Sequence, residues 1–166
     1  MNKGSHWRKS KRAARSSKVE EISRRAKPAK TELSVHKLPP LGLEATLERV
    51  VEQENTIQAL NPALPAVLST PSMIGMMEHA SVMAVQPELP PGTISVGTRI
   101  EVDHLKAVPP GATVHVWARL VGHQGRFMVF DVEAKSGEHV IGRGRVFRAI
   151  VEPAKHGDKA KSRLQA

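Results

Sequence analysis

The feature that most constrains this chain is a change of hydrophobic period near residue 90. Before it, from Pro71 to about Val85, the residues Met73, Ile74, Met76, Met77, Ala80, Val82, Met83 and Ala84 surround a helical axis instead of marking one stripe. Such a pattern predicts a single long helix buried on most sides. Thr70-Pro71 opens it, since Thr accepts a hydrogen bond from a free N–H of the first turn and Pro suits the first helical position. After the turn Pro90-Pro91-Gly92 the period becomes two, with Ile94, Val96, Thr98, Ile100, Val102 and His104 sharing one face. Further alternating runs follow, through Val114, Val116, Ala118 and Leu120, then from Phe127 to Val132, then over 140–151 after a Ser136-Gly137 turn. These read as four consecutive antiparallel strands in a meander, preceded by an earlier strand over 43–51. The sum is an α+β domain in which a curved antiparallel sheet wraps one long buried helix. Residues 55–68 hold Pro62 and Pro65, which no regular helix accommodates, and read as a loop or short lid.

Charge decides where the domain begins. Residues 1–30 contain eleven Lys and Arg against Glu20 and Glu21, which accounts for the whole formal charge of +9; the remaining 136 residues carry fourteen basic and fourteen acidic side chains. A segment so poor in apolar residues cannot offset backbone ordering of roughly 1–2 kcal/mol per residue. The expected organisation is a disordered basic arm over 1–37, a domain over 38–152, and a polar tail over 153–166. The arm reads either as a solvated solubility tail or as a phosphate-contacting segment for nucleic acid, and an Arg- and Ser-rich start also admits a transit peptide.

Absence of cysteine removes disulfides, thiolate metal sites and cysteine nucleophiles together. His115, His123 and His139 lack ligand-like spacing, so no metal is expected. With no apolar run long enough to span a membrane, the expected compartment is the cytoplasm.

Chemistry then falls to a few residues. Glu78 is the one acidic side chain inside the apolar helix, and burying it ionised is costly unless a partner holds the charge. It reads as a general acid or base, or as a residue on an exposed helix face beside His79. His104 closes the first long strand of the meander just before a loop, a position open to a pocket-wall catalyst or to a structural histidine. Thr70 caps the helix, and the free N–H groups beside it could polarise a carbonyl. Gly97, within a strand, suggests close approach of another group. Arg143 and Arg145 face one way on the last strand and could bind phosphates or form a solvated edge.

Ser69-Thr70, Met73-Ile74-Gly75-Met76-Met77-Glu78, Ser95-Val96-Gly97-Thr98, Asp103-His104, Pro109-Pro110-Gly111 and Ile141-Gly142-Arg143-Gly144 together resemble the fluoroacetyl-CoA thioesterase family of hotdog-fold proteins. The joint spacing, eight residues from Thr70 to Glu78, nineteen to Gly97 and seven to His104, is far more specific than any one piece. The resemblance implies a hotdog-fold homodimer whose two sheets join back to back, hydrolysing acyl-CoA at the subunit interface; because fold does not fix function, the rival readings are another hotdog reaction such as enoyl-CoA hydration and a non-catalytic acyl-CoA or nucleic-acid binder. Coenzyme A would enter only as part of the substrate, with no cofactor. It further implies that Thr70, Glu78 and His104 form the catalytic triad and that Gly97 contacts the substrate. Where the fluoroacetate-selective member uses phenylalanines as a lid, residues 61–68 here contain none, so a short or medium acyl group is expected. Val146-Phe147 stands where close relatives of that member would carry a His-Glu pair.

Overall fold

The computed structural model describes residues 38–153; the expected arm and nearly all of the expected tail lie outside the described residues. Strand β1 (Glu44–Val50) leads into a one-turn helix α1 (Ile57–Leu60) and then the long helix α2 (Thr70–Val85). Strands β2 (Ile94–His104), β3 (Thr113–Gln124), β4 (Phe127–Ser136) and β5 (His139–Val151) complete the domain. Among the described residues no helix is long and apolar enough to cross a membrane.

The five strands form one antiparallel sheet in the order β1-β3-β4-β5-β2. The expected four-strand meander is therefore corrected to three strands, β3-β4-β5. The reason lies in the connections. Gly125 and Gly137 take positive φ values of 61° and 54° in the short turns that close β3-β4 and β4-β5 as hairpins. The link over 105–112 is long enough to leave its strand, and it carries the chain from β2 at one edge to β3 on the far side.

Helix α2 lies on one face of this sheet. Val114, Val116, Ala118 and Leu120 of β3 and Met128, Phe130, Val132 and Ala134 of β4 alternate onto that face and are buried, against Met73, Met77, Ala80 and Ala84 of the helix. Each large side chain so enclosed contributes roughly 1.5–3 kcal/mol. A stripe at every fourth residue, Pro71, Gly75, His79 and Met83, remains exposed, so the helix is less enclosed than its composition suggests. The opposite face of the sheet is mostly charged, apart from a small apolar patch where Arg99 lies over Phe147 beside Val129. One row of register partners across it reads Glu101, Arg145, Asp131, Arg119 and Glu44, alternating in charge over all five strands.

Strand β2 does not keep one period throughout. A bulge between Gly97 and Arg99 leaves Thr98 without an opposite residue on β5. Before it Ser95 and Gly97 face α2; after it Val102 and His104 do. The single face expected for Ile94 through His104 is thus corrected to two half-strands of opposite parity, because one extra residue reverses a period of two.

At Gly144 the two strands approach so closely that a Cβ would overlap the Glu101 carbonyl and the Val102 Cα. Both obstacles are backbone, which cannot rotate away. Gly144→Ala is expected to destabilise the domain by about 1–3 kcal/mol, read as a Tm lowered by several degrees in thermal unfolding. An unchanged Tm would show that β2 and β5 can separate without cost.

Candidate active site

Helix α2 begins one residue earlier than its Thr-Pro signal indicates. Ser69 is the N-cap: its hydroxyl accepts from the Ser72 N–H (3.2 Å) and donates to Ser72 Oγ (2.8 Å). Thr70 is therefore not the cap but a residue of the first turn, with Pro71 behind it. Relieved of capping, its hydroxyl lies 2.9 Å from Nδ1 of His104. If Nδ1 accepts, Thr70 donates its proton to the imidazole, and the ring carries its own hydrogen on Nε2. That Nε2 is buried without a partner among the described residues.

Glu78, two turns further along α2, has a different partner. Nη1 of Arg148 donates to its Oε1 at 3.0 Å, while Nε and Nη2 of Arg148 donate to Oγ (3.0 Å) and the carbonyl oxygen (2.8 Å) of Ser95. Arg148 is only 4% exposed. Burial pushes its basicity below that of a free guanidinium, and the adjacent Glu78 carboxylate opposes this through charge and hydrogen bond. The carboxylate also occupies the space that any side chain at position 97 would need, since a Cβ on Gly97 would overlap Oε1. A side chain at position 97 would displace the carboxylate from this place. Together Glu78, Val82, Ser95, Gly97 and Arg148 line an open depression of about 450 Å³ at the β2 edge of the domain.

The candidates thus fall into two pairs, Thr70 with His104 and Glu78 with Arg148. No hydrogen bond joins the pairs among the described residues. Eight helical residues put Thr70 and Glu78 roughly 12 Å apart along the axis. Arg143 and Arg145 join neither pair: they project from the charged face, away from the helix, where Arg145 is bonded to Asp131 at 3.0 Å. Arg148, three residues beyond Arg145, has the opposite parity and faces α2.

Neither Arg148 nor Ser95 stands among the candidate site residues read from the sequence, although Ser95 belongs to the Ser95-Val96-Gly97-Thr98 motif. A signal for Arg148 existed, because it is the one charged residue within Val146-Phe147-Arg148-Ala149-Ile150-Val151, just as Glu78 is in its helix. Two isolated opposite charges in two buried elements are each other's natural partner.

Comparison with known proteins gives this geometry a context. Residues 51–154 match the family model described as fluoroacetyl-CoA-specific thioesterase. The chain is 37% identical over 132 residues to the fluoroacetyl-CoA thioesterase of Streptantibioticus cattleyicolor, covering 76% of this chain and 95% of that protein. A solved variant of fluoroacetyl-CoA thioesterase in complex with acetyl-CoA superposes with a TM-score of 0.71 at 36% identity, over 75% of this chain and 98% of the other. At 23% identity, a hot-dog-like protein from Thermanaerovibrio acidaminovorans superposes with a TM-score of 0.69 over 75% of this chain and 92% of its own, and bears out the expected hotdog architecture.

Proposed function

This chain belongs to the fluoroacetyl-CoA-specific thioesterase family and is an acyl-CoA thioesterase, and on that premise we propose that it hydrolyses short or medium acyl-CoA thioesters at a site completed by a second copy of itself. The observation that carries the catalytic reading is the 2.9 Å contact between Thr70 Oγ1 and His104 Nδ1 at the opening turn of α2. His104 acts as general base toward the nucleophile, either the Thr70 hydroxyl or a water it holds. Free N–H groups of the first helical turn stabilise the oxyanion that forms. Collapse of that intermediate breaks the C–S bond, and the departing thiolate takes the proton held by His104 to leave as free coenzyme A; where Thr70 has attacked, a water deprotonated by His104 then hydrolyses the acyl-threonine ester and frees the acid. The acyl preference is supported by an aliphatic approach segment, where Leu60 and Leu64 are exposed and no phenylalanine occurs. A cytoplasmic setting is supported by the cysteine-free sequence.

A homodimer is supported by the sheet itself. β2 is an edge strand with an open row of backbone groups, which folded proteins normally cover. The charged opposite face favours solvent over a partner, so an edge-on arrangement fits better than one with sheets back to back. If two β2 strands pair antiparallel about their middles, near Arg99 and Ile100, the Gly97 end of one meets the His104 end of the other. The partner's His104 then approaches Glu78, and the pairs separated within one chain become one site.

The test is thiol release from acyl-CoA substrates of graded chain length, with His104→Ala and Glu78→Gln proteins assayed alone and after subunit exchange. Each alone is expected to be nearly inactive. A composite site predicts recovery to about a quarter of wild-type activity on equimolar mixing, because half the dimers are mixed and each of those has one intact site of two. A site contained within one chain predicts no recovery.

A further inference from the structure

A carboxylate that takes part in a reaction needs one oxygen held and the other free. At Glu78 this division is already made: Oε1 is bonded to Arg148 and lies against the α-carbon of Gly97, whereas Oε2 has no hydrogen-bond partner among the described residues. The division depends on the orientation of Arg148, a long side chain with several rotamers of its own. Two bonds fix that orientation, and both come from Ser95. The carbonyl would be present with any residue at position 95. The hydroxyl would not, and at 6% exposure water has little access to replace it.

We propose that Ser95 is a positioning residue for thioester hydrolysis: its hydroxyl locks the guanidinium of Arg148, which fixes Glu78 Oε1 and leaves Oε2 as the reacting oxygen. This rests on the thioesterase reading above. Ser95 touches neither thioester nor nucleophile in this role; its effect passes through Arg148. Gly97 is the complementary element, supplying the space into which Oε1 is pressed. A purely structural serine, by contrast, would only satisfy a buried donor, and its loss would affect stability without affecting the division of the carboxylate.

Ser95→Ala and Ser95→Thr separate the two roles, compared by kcat and KM for acyl-CoA and by thermal unfolding. Ser95→Ala is expected to lower kcat about tenfold, the equivalent of one lost hydrogen bond, with KM nearly unchanged. Ser95→Thr, which keeps the hydroxyl and suits a strand, is expected to recover most of that loss. An alanine variant with undiminished kcat overturns the proposal, as do equal losses of kcat in both variants. If the wild-type protein hydrolyses no acyl-CoA, the thioesterase reading fails instead, and crystal structures of wild type and Ser95→Ala decide the positioning. A Glu78 carboxylate that swings off Gly97 in the alanine variant supports it; one that stays in place overturns it.

Discussion

His104→Ala is expected to lower kcat for acyl-CoA hydrolysis by about 10²-fold or more, the usual consequence of losing a general base, while the protein stays folded. Among the described residues the imidazole makes one hydrogen bond, to Thr70, and its Nε2 is buried without a partner. Removing the ring therefore costs packing but also removes an unpaired polar atom, and these partly cancel. Steady-state thiol release measures the first effect and thermal unfolding the second. Turnover close to wild type would take His104 out of the mechanism and leave its contact with Thr70 as a helix-end brace.

Glu78→Gln should be the second large loss, about 10²-fold in kcat, with a different signature in stability. Glutamine is nearly isosteric but leaves the buried guanidinium of Arg148 without its counter-charge. Breaking a fully buried pair costs about 3–5 kcal/mol; here the Glu78 side chain is 35% exposed, so screening by water reduces the expected cost to about 1–2 kcal/mol. The variant is expected to fold with a lowered Tm and to be nearly inactive. Full activity together with full stability would mean that Glu78 neither reacts nor neutralises Arg148, and the exposed-helix reading of this residue would stand.

The different legibility of these residues in the sequence has a physical cause. Element types depend on local period and turn chemistry, so the helix over 70–85 and the runs after residue 93 were readable directly. Strand order was not, because period two says which face a side chain takes and nothing about which strand lies alongside; β2 was consequently placed in a meander it does not join. The cap is ambiguous between Ser69 and Thr70, which are chemically equivalent for that task, and only backbone geometry separates them. Arg143 and Arg145 form an adjacent same-face pair, a pattern that a phosphate site and a solvated strand surface produce alike. Arg148 carried the better signal through its isolation, which becomes informative only once Glu78 is recognised as the opposite isolated charge.

The bulge at Thr98 also governs how this segment tolerates change in length. Gly97 and His104 are seven residues apart, an odd interval that would put them on opposite faces of a regular strand; the extra residue brings both to the helix side. Strand β2 is exposed along much of its length and lies at the sheet edge, where insertions and deletions are ordinarily absorbed. Here a single residue gained or lost between positions 97 and 104 would rotate the imidazole away from Thr70 while altering no residue of either pair. Length, as much as composition, is thus a fixed property of this edge, and the segment can accept substitutions at exposed positions such as Arg99 and Glu101 far more readily than it can accept one codon more or one fewer.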